Sequence, residues 1–128
     1  MAYDDAGSTI SNSYSTGSVS GYYYVGGLVG KIHFSPPNEI NGSGTVSNSY
    51  STGTVEADSY FGGLVGSATA STVSNSFWDM ETSNQSSSNG GTGKTSAEMK
   101  TASTFTYSGW DFEVETANGN NNYWDMNQ

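Results

Sequence analysis

The chain has 128 residues, enough for one domain, but only 33% are hydrophobic, which suits a thin core shared along an elongated object better than one large core. Twelve acidic residues against three basic ones give a net charge of −9, which repels phosphate backbones and anionic bilayers and so excludes nucleic acid as a partner. There is no cysteine for disulfides or thiolate metal sites, and no apolar run nears the roughly 18 residues that insertion into a membrane requires.

The opening residues Met1–Asp5 lack the basic and apolar character of a signal peptide, and read as a boundary inside a longer secreted protein. Residues 9–30, TISNSYSTGSVSGYYYVGGLVG, return at 45–66 as TVSNSYSTGTVEADSYFGGLVG, and their first part returns at 72–77 as TVSNSF. Recurrence at such an interval marks a repeat array in which each unit buries its apolar face against the next. From Ile10 to Val46 is 36 residues and from Val46 to Val73 is 27, so the shorter interval is taken as the rung and the extra residues as an insertion within 31–44. Glycine-rich corners divide each rung into three extended pieces, 10–15, 19–25 and 28–29 in the first copy, which predicts a three-sided coil.

The predicted fold is all-β, a right-handed parallel β-solenoid (β-helix) of about three to four rungs with a short C-terminal capping helix, the hand being the one favoured for parallel crossovers. It is read as one domain over 1–128, with rungs at 9–30, 45–66 and 72–80, the insertion at 31–44 and a capping region at 81–128. Stacking in register puts Ile10 over Val46 and Val73, Asn12 over Asn48 and Asn75, and Tyr14 over Tyr50 and Phe77. Strict alternation along the strand then places these three rows inside and Ser11, Ser13 and Ser15 outside. The same reasoning makes Tyr24 and Tyr60 an inward pair.

Towards the C-terminus, Thr95-Ser96-Ala97-Glu98 has the form of a capping box, which predicts a helix that plugs the open end of the coil. Trp78, Trp110 and Trp124 are expected at that end, and Tyr123–Met126, an echo of Phe77–Met80, is expected to add a strand to the third rung. No equivalent cap precedes Thr9, so self-association through an uncapped N-terminal rung is expected.

Motifs with chemical potential are few. Gly90–Thr95 resembles a phosphate-binding loop but has Ser88 where the first glycine belongs and no preceding buried strand. The acids Glu56 and Asp58, and Asp79 and Glu81, read as solvated carboxylates, and His33 has no catalytic partner in view. The chain is therefore read as non-enzymatic and without a cofactor; structural calcium is the one metal its oxygen-rich stretches at Asp79–Glu81 and 119–122 suggest, with no ligands assigned. The glycosylation sequons at Asn41 and Asn84 fall in predicted loops. The run Tyr22-Tyr23-Tyr24 must expose at least one ring, and exposed rings stack on sugar faces, so Tyr22 and Tyr23, with His33 and Phe34 on the insertion, are the expected ligand-binding residues.

The paired GGLVG segments at 26–30 and 62–66, each preceded by SNSYSTG, together with FWDMETS at 77–83, GGTGKTSAEMKTASTF at 90–105 and GWDF at 109–112, resemble the GLUG repeat region of bacterial and archaeal secreted and surface proteins. That resemblance covers about residues 9–112 and implies a surface-exposed solenoid without catalytic residues. It makes the chain a noncatalytic, adhesin-like repeat module, secreted or on the cell surface, that extends or presents a surface for a glycan or an extracellular protein. Two alternatives are a carbohydrate-binding accessory module of a secreted enzyme and a filament subunit stacking rung to rung.

Overall fold

Like residues do stack on like residues. The computed structural model describes residues 8–32, 44–69 and 71–111, and within them every strand pairing is parallel and all but that of Phe77–Asp79 with Thr92–Lys94 match one repeat copy to the next. The first copy contributes β1 (Thr9–Ser11), β2 (Tyr14–Ser15), β3 (Val19–Gly26) and β4 (Val29–Ile32). The second contributes β5 (Thr45–Ser47), β6 (Tyr50–Ser51), β7 (Val55–Gly62) and β8 (Val65–Ala68), and the third β9 (Thr72–Ser74) and β10 (Phe77–Asp79). The chain continues through α1 (Met80–Ser83), β11 (Thr92–Lys94), α2 (Ser96–Met99) and α3 (Ala102–Thr106). The sheets run β1-β5-β9, β2-β6-β10-β11, β3-β7 and β4-β8, an arrangement of stacked parallel strands compatible with a β-solenoid.

The predicted register holds at every row that the described strands contain. Ile10 pairs with Val46 and Val46 with Val73, while Tyr14 pairs with Tyr50 and Tyr50 with Phe77. The strand beside Phe77–Asp79 is β11, with Phe77 opposite Thr92; the Tyr123–Met126 echo lies outside the described residues, together with Trp124.

The expected faces are corrected. The first and second copies have four strands instead of three, because Asn12, Asn48 and, in the third copy, Asn75 all adopt positive φ (49°, 47° and 45°) and break the first piece in two. A left-handed residue resets the alternation, and asparagine tolerates that conformation better than most side chains. Up to Asn the apolar residue is inward, as Val46 shows; beyond it the serines turn in and the aromatic row turns out. Ser49, Ser51 and Ser76 are buried, whereas Tyr14 is exposed.

The buried serines form a ladder. Ser13 N–H donates to Ser49 Oγ and Ser49 N–H donates to Ser76 Oγ, both at 3.2 Å, while the Ser49 and Ser76 hydroxyls donate to the Ser47 and Ser74 carbonyls. Ser51 Oγ, by contrast, is buried with no hydrogen-bond partner among the described residues. Ser49→Ala is therefore expected to cost about 1–3 kcal/mol by orphaning buried backbone groups, while Ser51→Ala is neutral or stabilising. Urea unfolding of the two single variants checks this; equal midpoints would contradict the ladder.

Two apolar clusters follow from these faces. Inside, Leu64, Val65 and Trp78 pack with Leu28, Val29, Ile32, Ala68, Val73 and Met80. Trp78 follows Ser51 in its row, and the interior there is so narrow that a Cβ on Gly63 would overlap the indole, just as one on Gly27 would overlap Ser51 Oγ. The second cluster lies on the outward aromatic row: Phe77 is covered by Met99, Phe105 and Trp110, with Tyr50 against its side. Phe105 meets Phe77 edge-on at 5.3 Å, and the Trp110 indole N–H donates to the Asn75 carbonyl at 2.8 Å.

The predicted capping box is present at α2: Glu98 N–H donates to Thr95 Oγ1, and Thr95 N–H donates to Glu98 Oε2. The helix does not plug an open end. It packs with α3 against the side of the stack, over the aromatic row, and Trp110 goes there too, while Trp78 is interior. Helices α1 and α3 add to the one helix expected; α1 is capped by Asp79, whose Oδ1 accepts from the Glu81 and Thr82 N–H groups.

Candidate functional site

Five exposed aromatic residues lie on the sheet β3-β7. Tyr22, Tyr23, Tyr24 and Tyr60 have 76%, 65%, 37% and 58% of their surface accessible, and Phe61 is also exposed. Tyr24 and Tyr60 were expected inside; they lie outside, as counting by twos from the inward Val55 and its partner Val19 places them, and both adopt positive φ, 57° and 54°, at the same position of two successive copies. A left-handed conformation costs a residue with a Cβ about 1–2 kcal/mol. The two rings stack at 5.0 Å with their planes 22° apart, and the Lys31 ammonium sits 4.2 Å from the Tyr24 ring centroid. A cation over an exposed ring recovers only about 0.5–1 kcal/mol, so stacking and the lysine offset the backbone cost without burying the rings.

Of the four residues expected to bind a ligand, Tyr22 and Tyr23 stand on β3 in this surface, while His33 and Phe34 lie outside the described residues. Sequence reasoning missed Tyr24, Tyr60, Phe61 and Lys31. Recurrence of tyrosine at 24 and 60 was visible, and counting by twos from Val19 and Val55 was the signal that puts both outside. Across the sheet Ser20 pairs with Glu56 and Tyr23 with Ser59, and Glu56 and Asp58 are exposed, so the tyrosines have carboxylates and hydroxyls as polar neighbours on β7.

A second, shorter aromatic row is only partly open. Tyr14 stacks on Tyr50 at 5.3 Å and 11°, and Tyr50 tilts against Phe105 and Trp110. Burial pushes the Tyr50 phenol above its ordinary pKa, and the neighbouring Tyr14 adds to the shift.

Of the acids singled out in the sequence, Glu56 and Asp58 are exposed as expected, whereas Asp79 and Glu81 are engaged in hydrogen bonds. Asp79 is buried, and its Oδ2 accepts from Ser96 Oγ at 2.7 Å while Glu81 Oε2 accepts from Ser96 N–H at 2.6 Å, so the pair ties α1 to the start of α2. Hydrogen bonds from the Thr95 amide and hydroxyl, with Lys94 nearby, hold Glu98 below the usual carboxylate range. The segment resembling a phosphate loop is strand β11 followed by that capping box, with Lys94 3.9 Å from Glu98. Among the described residues no group of three or more histidine or acidic side chains is placed to hold a metal ion, and no helix is long and apolar enough to cross a membrane.

The family model of the GLUG motif matches residues 21–56, running from the aromatic strand of the first copy through both corner glycines and into the same strand of the second. The chain therefore carries a GLUG motif, and the matched stretch is as long as the interval from Ile10 to Val46. No curated protein and no solved structure matches the chain.

Proposed function

We propose that this chain is a noncatalytic repeat module of an extracellular, adhesin-like protein, built as a right-handed parallel β-solenoid of about three to four rungs, that presents an aromatic face to carbohydrate. The observation that carries this reading is the pair Tyr24 and Tyr60, held at positive φ in both copies yet left accessible beside Tyr22 and Tyr23. Backbone strain that does not serve burial is a pointer to function. Flat exposed rings offer apolar contact to the faces of sugar rings, and the neighbouring serine, acid and lysine groups supply the hydrogen bonds that a hydroxylated ligand needs. The test is binding to an array of glycans and extracellular-matrix proteins, with the Tyr22→Ala, Tyr23→Ala double variant expected to lose the signal.

A further inference from the structure

The two ends of the stack are built differently. At the far end, residues 82–89 run along the second layer and take up its edge groups. Thr82 Oγ1 donates to the Thr52 carbonyl, Gln85 Nε2 to the Val55 carbonyl, Asn89 Nδ2 to the Gly66 carbonyl, and Gly63 N–H to the Ser87 carbonyl. At the near end β1, β2, β3 and β4 are all edge strands among the described residues. Such an edge is a template for another strand.

Three features specify the occupant. First, Thr45 and Thr52 N–H donate to the Ser8 and Ser15 carbonyls of the first layer at 2.8 and 3.0 Å, and Thr72 N–H donates to the Gly44 carbonyl at 2.9 Å. By the same register, Thr9 and Thr16 direct their N–H groups away from the second layer. Second, in the serine ladder each Oγ accepts from the amide of the layer before it, at Ser49 and at Ser76, so Ser13 Oγ stands where an earlier layer's amide would donate. Third, a Cβ on Gly53 would overlap the Gly17 carbonyl, whereas one on Gly17 meets nothing within 4 Å. Each feature repeats the interface between the first and second layers with one side open.

We propose that the first layer is a docking surface for one further copy of the 36-residue repeat, in parallel register, and that the segment 82–89 over β7 and β8 blocks the same addition to those two sheets at the far end. This inference does not depend on carbohydrate recognition. A second copy of the whole chain fits less well. Through its own first layer its strands would run in the opposite direction and bring Ser13 Oγ against Ser13 Oγ, each already donating to its own Ser11 carbonyl, and at its far end β7 and β8 are covered by 82–89.

The experiment compares the chain with a version carrying a duplicate of residues 9–44 directly before Thr9. The longer chain is expected to unfold in one transition at higher temperature, with amide exchange at Thr9 and Thr16 slowed on the order of 100-fold. Gly17→Ala is expected to be silent in the original chain and to lower the melting temperature of the longer one, because its Cβ would then face an added carbonyl. Unchanged exchange at Thr9 and Thr16 in the longer chain would overturn the proposal. So would protection of those amides in the original chain, whether as a monomer or as a concentration-dependent dimer in sedimentation; the dimer would make a second copy the occupant.

Discussion

Trp78→Ala is expected to cost about 3–5 kcal/mol, the range for truncating a buried tryptophan. Domains of this kind have about 5–15 kcal/mol in total, so the variant should lose a large part of its stability. Trp78 is 5% accessible, closes the interior against Leu64 and Val65, and follows Ser51 in its row, so no neighbouring large side chain can fill the space it leaves. Its indole N–H also donates to the Gln85 carbonyl at 2.9 Å, which fixes the segment that covers β7 and β8. The loss should appear in urea unfolding and as faster amide exchange at Gly63 and Asn89, which bond to that segment or lie in it. A cost below about 1 kcal/mol would place the indole outside the core.

Gly63→Ala is expected to cost about 1–3 kcal/mol by overpacking, from a single added methyl group. The glycine of the GGLVG corner faces the Trp78 indole so closely that an alanine Cβ would overlap ring atoms. The indole itself is fixed by its bond to Gln85 and by the surrounding cluster. Gly63→Ala should therefore be nearly silent in the Trp78→Ala background, where the methyl group enters the space the ring has left. Contacting residues couple in this way, while independent sites add. Additive costs in the double variant would contradict the packing of corner glycine on indole.

Much of the layered architecture was legible because it rests on recurrence. The rows Ile10, Val46, Val73 and Tyr14, Tyr50, Phe77 require only that equivalent residues stack, and they do. The capping box at Thr95 was also legible, since both of its hydrogen bonds are local. The faces were not, because a period of two assumes an unbroken strand and Asn12, Asn48 and Asn75 interrupt it with positive φ. Asparagine between two serines was the available signal, asparagine being enriched at such positions. The helix α3 has no side-chain cap at Thr101 and is held by Phe105 packing on Phe77, a tertiary contact that local sequence does not announce.

The candidate surface was half legible. Alternation alone showed that the Tyr22–Tyr24 run must expose a ring, and both Tyr22 and Tyr23 are exposed. Tyr24 and Tyr60 were placed inside because identical aromatics in two copies suggest a core row. Counting by twos from the inward Val55 and its partner Val19 puts both outside, and their left-handed backbone runs against the ordinary preference of a bulky side chain.

The most direct test of the account is glycan-array binding of the chain beside the Tyr22→Ala, Tyr23→Ala double variant, with thermal unfolding of both as the control for folding. The account predicts selective binding by the chain, loss of that binding in the variant, and closely similar melting temperatures, because the removed rings are exposed. Binding that survives removal of both tyrosines in a folded variant, or a chain that binds no glycan on the array, would contradict it.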